Sequence, residues 1–301
     1  MTGAELAERH RLCRVRGRAE WRGDCPACGY RAGLVLSERE GRAVWWCAGC
    51  HDRTVLTRAL LGAAVNAWRS PRQRPTARPT FTSTEEAARR VRALWDAALA
   101  LPGTLAGAYL GHRGVLAALG GFAPHAAGPA LRFLPQCRCI EAGRDMPAML
   151  AAVRDPLSGE LRAVHRTFLA APGRKAVLAA PKKSFGPIGQ SAVLVHAPRP
   201  GQPLVVAEGI ETALAASALL GAPAWAAVAA SNLPALRLPD EVHDVIVAAD
   251  PGDAGESAAE EATRRWRAEG RRVRIALPDD PKADFADLLL RRAAREVPHA
   301  G

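Results

Sequence analysis

Two groups of side chains in this 301-residue chain have the types and the spacing to do chemistry. The first is a set of four thiols, Cys25-Pro-Ala-Cys28 and Cys47-Ala-Gly-Cys50, two CxxC pairs with eighteen residues between them. Thiolates so spaced close tetrahedrally round Zn²⁺, with a β-hairpin between the pairs. The intervening GLVLSEREGRAVWW has the two apolar runs and the polar Glu-Arg-Glu-Gly turn that such a hairpin needs. A complete shell of four cysteines leaves no open position for water, so the ion's role is structural. His10, Cys13, Cys137 and Cys139 are ligand types that lie outside this spacing.

The second group is acidic. PLVVA runs into Glu208, with Glu211 one turn into the next helix; DVIVAA runs into Asp250, with Asp253 just beyond; and RVRIAL is followed by Asp279, Asp280, Asp284 and Asp287. Open parallel sheets bind ligands at the carboxyl ends of their strands. Carboxylates that converge there repel one another unless cations sit between them, and an all-oxygen set suits Mg²⁺ or Mn²⁺. For any single acid, helix capping is the simpler account, Asp250 or Asp253 before one predicted helix and Asp284 before another. Three strand ends together favour metal.

The charge balance says what such a site would act on. Lys and Arg number 41 against 30 Asp and Glu, a formal charge of +11 that points to a polyanionic partner. With the acidic set, that implies phosphoryl chemistry on nucleic acid. Almost all of the basic residues are Arg, yet Lys175, Lys182 and Lys183 fall within nine positions, where compact ammonium groups would suit a phosphate. Around the thiols, Arg22, Arg31 and Arg42 accompany Trp21, Tyr30, Trp45 and Trp46, a combination that holds single strands by stacking beside cations. Of the adjacent pair Trp45 and Trp46, one belongs in the core of the ribbon and the other outside. The composition excludes collagen-like, fully disordered and disulfide-scaffold classes.

These groups need elements to position them. Residues 1–67 read as a zinc-ribbon domain built on the four cysteines, and 68–84 as a Pro- and Arg-rich linker. Residues 85–200 open with a helix over 85–99 and continue as a mixed α+β basic subdomain, with strands in PAMLAAVRD, ELRAVHRTFLA and KAVLAAPK. Over 201–297, continuous apolar strands alternate with helices, which predicts an α/β fold with a parallel sheet covered on both faces. The long uncharged stretch from Thr212 to Leu236 is split by Gly221 and Pro223 and reads as helix, turn and strand, not as a membrane span. The N-terminal sequence carries charges and no apolar signal core, so a cytoplasmic location is expected.

VVAEGIETALAA (Val205–Ala216), VIVAADPGDAGESAA (Val245–Ala259) and DFADLL (Asp284–Leu289) resemble the acidic motifs of the Toprim domain, shared by bacterial primases, type IA and II topoisomerases and some nucleases. A zinc ribbon, a basic middle region and then Toprim is the order of bacterial replicative primases. PAMLAAVRDPLSGELRAVHRTFL followed by GRKAV is similar to primase-like proteins of plasmids, prophages and integrative elements. The resemblance implies a Toprim-type sheet and a DNA primase that joins ribonucleotides into short RNA primers on single-stranded DNA. It implies Glu208, Asp250 and Asp253 as catalytic residues, with Glu211, Asp284 and Asp287 as further magnesium ligands. His165, Arg166, Lys175, Lys182 and Lys183 would grip template phosphates or the nucleoside triphosphate, and Trp45 and Trp46 would meet the DNA. The partners implied are single-stranded DNA, nucleoside triphosphates and a separate helicase, since no Walker A motif occurs. The chain departs from the family at the second Asp of its DxD motif, where Gly252 stands and the next acid is Asp253. A Toprim nuclease and a non-catalytic mediator that binds single-stranded DNA are the alternatives.

Overall fold

The structure is a computed structural model that describes residues 3–15, 19–29, 31, 33–39, 42–47, 53–62, 83–280 and 282–296. Cys50, Tyr30, the side chain of Arg42 and nearly all of the expected linker lie outside them. Two units divide the chain, Met1–Thr80 and Phe81–Gly301.

In the first unit, α1 (Gly3–Arg9) precedes an antiparallel sheet of β1 (Cys13–Arg14), β2 (Glu20–Gly23), β3 (Leu34–Arg39) and β4 (Arg42–Cys47), paired in that order, and α2 (Arg53–Leu61) follows. The hairpin expected between the Cys pairs is β3–β4. Its register sets Leu36 against Trp45 and Val35 against Trp46. Strand alternation then decides the fate of the two tryptophans. Trp45 joins Leu6, Leu34, Leu36, Leu56 and Leu60 in a small core, whereas Trp46 is 55% exposed.

The second unit starts with α3 (Ser83–Asp96) and α4 (Leu105–His112). Six strands follow: β5 (Leu131–Cys139), β6 (Arg144–Arg154), β7 (Leu161–Ala170), β8 (Arg174–Lys175), β9 (Lys182–Phe185) and β10 (Ala192–Leu194). The chain then alternates through β11 (Leu204–Ala207), α5 (Ile210–Leu220), β12 (Ala224–Ala226), β13 (Asp244–Ala248), α6 (Asp253–Ala268), β14 (Arg272–Ala276) and α7 (Phe285–Glu296). β11 to β14 form a parallel array in the order β14-β13-β11-β12, as the uninterrupted apolar strands require. Helices cover both of its faces. α5 and α7 share one core with α4, while Trp266 of α6 packs with Trp225 of β12 in the core of the other face.

The segments 85–200 and 201–297 share one ten-stranded sheet, because β10 pairs antiparallel with β6 on one side and with β12 on the other. The stretch from Thr212 to Leu236 is helix, left-handed Gly221 (φ +62°) and buried strand, and no helix among the described residues is long and apolar enough to cross a membrane. Two local expectations need correction. The first helix stops at Asp96, and Leu99 instead bridges to Phe133. KAVLAAPK is not a strand: β8 ends at Lys175 and pairing resumes at Lys182. Between them the N–H groups of Ala179 and Ala180 donate to the Glu141 carboxylate, at 2.5 and 3.4 Å, rather than to a neighbouring strand.

The turn from β13 into α6 depends on close backbone approach. A Cβ at Gly255 would stand 2.4 Å from the carbonyl oxygen of Asp250. Gly255→Ala is therefore expected to cost about 1–3 kcal/mol, the usual penalty of overpacking a tight site. Urea unfolding checks this, and a midpoint equal to wild type would show that the turn is looser than described.

Candidate functional site

β11 and β13 are parallel neighbours in register, Ala207 opposite Ala248, so their carboxyl ends deliver Glu208 and Asp250 to the same edge. There they line a cleft of about 420 Å³. Gly209 and Thr212 from the start of α5 and Asp284 and Asp287 from the start of α7 complete its acidic side. Lys175, Lys182, Arg113 and Lys282 line the same cleft and make up its basic side. The middle segment thus supplies cations to carboxylates held by the parallel sheet.

Glu208 and Asp250 are under electrostatic tension. Burial raises the proton affinity of Glu208, and the charge of Asp250 raises it further. Asp250 is raised too, by burial first and then by Asp284, against a hydrogen bond from Thr212. The Thr212 hydroxyl donates to Asp250 Oδ1 at 2.9 Å. Among the described residues, neither carboxylate forms an ion pair. Half-buried carboxylates that stand beside like charges and have no ion-pair partner are the donor set that Mg²⁺ or Mn²⁺ relieves.

The other acids behave differently. Glu211 lines the cleft but is 5% exposed. Burial alone would raise its carboxyl, yet the charge and hydrogen bond of Lys182 and the hydroxyl of Tyr109 outweigh that and hold it at about 2. Lys182 Nζ donates to Glu211 Oε2 at 2.8 Å and Tyr109 donates to Oε1. Asp284 and Asp287 cap α7 reciprocally: the N–H of Asp287 donates to Asp284 Oδ1 at 2.8 Å, and that of Asp284 to Asp287 Oδ2 at 3.1 Å. Asp284 Oδ2 also pairs with Arg113 at 2.5 Å. Capping and cleft-lining are thus both true of these two. Asp253, the first residue of α6, is exposed and does not line the cleft. Gly252 before it has φ +117°, a conformation that L side chains rarely adopt, so the backbone itself disfavours an Asp at that position.

Strand alternation splits the basic group. Lys182 lies opposite Thr167 and Lys183 opposite Arg166 across β7 and β9, so successive residues face opposite sides of the sheet. Lys182 reaches the cleft, whereas Lys183 pairs with Glu141 at 3.1 Å and Arg166 lies over the rings of Phe168 and Phe185. His165 is 6% exposed, bonded through Nδ1 to Ser184 Oγ at 2.9 Å, and is not part of the cleft wall. Of the five, the structure brings Lys175 and Lys182 to the carboxylates. Sequence reasoning missed Tyr109, Arg113, Thr212 and Lys282. Thr212 was legible within EGIET, and Tyr109 and Arg113 stand one turn apart in an otherwise mostly apolar segment.

In the first unit, the Sγ atoms of Cys25, Cys28 and Cys47 lie within 4.8 Å of one another, with Cys28 and Cys47 3.7 Å apart. Thiolates 2.3 Å from a tetrahedral Zn²⁺ would be about 3.8 Å apart, so the three fit that ion. Gly29 (φ +70°) returns its N–H to Cys25 O at 2.8 Å and shapes the knuckle. His10 is bonded to Leu60 O, Cys13 is exposed, and Cys137 and Cys139 are buried in the core beneath α3.

Comparison with known proteins gives two family matches in the second unit. Residues 203–295 match the Toprim domain family, and residues 85–195 match a domain of unknown function (DUF7146). No curated protein matches. Among solved structures, the primase fragment of the bacteriophage T7 primase-helicase protein is similar at 16% identity and a TM-score of 0.45, over 92% of this chain and 96% of that one. The zinc-binding and RNA polymerase domains of the Aquifex aeolicus primase are similar at 13% identity and 0.47, over 98% and 81%. A DNA primase domain from Pseudomonas aeruginosa gives 17% and 0.46, over 69% and 77%.

Two outcomes follow. Purified protein should carry one equivalent of zinc, and Cys25→Ser should lose most of it while leaving the unfolding transition of the second unit in place. Elemental analysis checks this, and full zinc retention would remove Cys25 from the ligand set. His165 gives a pH signature. Burial first, then the charge of Lys182, lowers its value to about 4 from the usual 6.5. As pH falls below 6.5, the unfolded chain takes up the proton before the folded one does, so stability present at neutral pH is lost between about 6.5 and 4. The loss is on the order of 3 kcal/mol. Urea unfolding at several pH values should show wild type losing that much more than His165→Gln; parallel curves would mean that His165 is not held neutral.

Proposed function

We propose that this chain is a DNA primase that makes short RNA primers on single-stranded DNA by metal-dependent nucleotidyl transfer, acting in the cytoplasm in replication of a plasmid, phage or other mobile element. The observation that carries the reading is the cleft itself, where unpaired Glu208 and Asp250 of a Toprim domain face Lys175, Lys182 and Arg113. Residues 1–67 would be the zinc ribbon, 68–84 the linker, 85–200 the basic subdomain and 201–297 the catalytic domain.

Glu208 and Asp250 would hold Mg²⁺ or Mn²⁺, Thr212 fixing one oxygen of Asp250 so that the other is free to ligate. Such an ion polarises the α-phosphate and makes the primer 3′-hydroxyl easier to deprotonate. The 3′-hydroxyl gives its proton to solvent as its oxygen bonds to the α-phosphorus, the bond from that phosphorus to the bridging oxygen breaks, and pyrophosphate leaves. Lys175, Lys182 and Arg113 neutralise the triphosphate as charge builds on the leaving group. Exposed Trp46 offers a stacking face to unpaired template bases. A separate helicase would supply the single strand.

A second reading, a non-catalytic mediator that binds single-stranded DNA, is favoured by one feature: Gly252 occupies the second acidic position and Asp253 stands outside the cleft. One assay separates the readings. Protein is incubated with circular single-stranded DNA, labelled ribonucleotides and Mg²⁺ or Mn²⁺, and products are resolved at single-nucleotide length. Wild type should make short oligonucleotides, while Glu208→Gln and Asp250→Asn should lose about a hundredfold or more, as removal of transition-state electrostatics does. Shortened DNA would indicate a nuclease, and tight DNA binding without any product a mediator.

A further inference from the structure

Glu211 is the one acid at the cleft with both oxygens engaged by side chains of the middle segment. Oε1 accepts from the Tyr109 hydroxyl and Oε2 from the Lys182 ammonium at 2.8 Å. Each oxygen keeps a further lone pair, but a cation bound to either would stand against the Lys182 ammonium, 2.8 Å from Oε2, a like charge that opposes ligation there. α4, which provides Tyr109, also fastens the hairpin of Lys175. His112 Nδ1 lies 3.1 Å from Gly173 O. Gly173 (φ +99°) packs so closely on α4 that a Cβ there would meet Ala108 Cβ at 2.8 Å and Tyr109 N at 3.0 Å. One helix of eight residues therefore bears on two of the three cleft lysines, on Lys175 through its hairpin and on Lys182 through Tyr109 and Glu211.

We propose that Glu211 is a positioning residue and not a metal ligand: steadied by Tyr109, it holds the Lys182 ammonium at the cleft to engage the triphosphate of a nucleoside triphosphate. The inference rests on the cleft taking a cation and a nucleotide, the reading given above. An ammonium has three donors, and Glu211 uses one of them, so the others remain for phosphate oxygens. Lysine is a point charge on a flexible four-carbon stem. Fixing it in advance removes the ordering cost that nucleotide binding would otherwise bear.

Two binding measurements on the full-length, zinc-loaded protein separate positioning from ligation. Mn²⁺ binding is followed by electron paramagnetic resonance of the free ion, and ATP binding by equilibrium dialysis with saturating Mg²⁺. Glu211→Gln should keep Mn²⁺ affinity within about twofold while weakening ATP roughly tenfold, the scale of one charge-assisted contact. Lys182→Met should do the same, and the double variant should be no worse than Lys182→Met alone, because the two side chains act as one unit. Tyr109→Phe keeps the carboxylate and should weaken ATP by about threefold with Mn²⁺ unchanged; it carries the test if Glu211→Gln does not fold. Loss of Mn²⁺ affinity in Glu211→Gln comparable to that in Glu208→Gln would overturn the proposal, as would additive losses in the double variant. Wild type that binds Mn²⁺ but not ATP overturns it as well. Wild type that binds neither overturns the primase reading itself, and this inference with it.

Discussion

Glu208 and Asp250 are held where burial and a neighbouring carboxylate, Asp250 for the first and Asp284 for the second, work against ionisation, and much of the second unit can be understood as what it takes to keep them there. Parallel strands in register bring their ends to one edge, which only strands apolar on both faces can do. Gly255 lets the chain turn sharply enough after β13 to start α6 beneath Asp250. Thr212 steadies one of the two oxygens. Across the cleft the middle segment offers compensating positive charge without closing an ion pair on either carboxylate. A cation and a polyphosphate together would satisfy both walls at once, whereas the ion pairs between the walls leave Glu208 and Asp250 without a cationic partner.

The ion pairs at the rim show how that compensation is kept from collapsing. Lys182 is committed to Glu211 and Arg113 to Asp284, so these two cations of the basic wall are tethered beside Glu208 and Asp250 and not onto them. A buried carboxylate such as Glu211 is tolerated because two donors complete it. The geometry separates two classes of acid that look alike in sequence, those with partners and those without.

Much of this was legible in the residues. The apolar strands and the acids that end them pointed to the parallel array and to the positions of Glu208 and Asp250. The Cys spacing implied the hairpin and a cluster of four thiols, of which Cys25, Cys28 and Cys47 stand together while Cys50 lies outside the described residues. What sequence reading lacked was register and long-range partnership. Lys182 and Lys183 are adjacent and chemically identical, yet the pleat sends them to opposite faces. His165 looked like a phosphate ligand but lies buried and bonded to Ser184. Tyr109 finds its partner 102 residues away, and Arg113 finds its own after 171, separations at which no local pattern gives a hint.

The junction between β10 and β12 has a consequence for how the chain is made. Synthesis runs from the N-terminus, and the strands up to β10 emerge before any of the parallel array. Until residues 224–226 leave the ribosome, the side of β10 that will receive β12 is an open edge with unpaired N–H and C=O groups. Those edge groups form a ready template against which the first-made half of the sheet can set the register of the second. The same exposure makes that interval the time when the nascent chain is most open to pairing with the wrong strand.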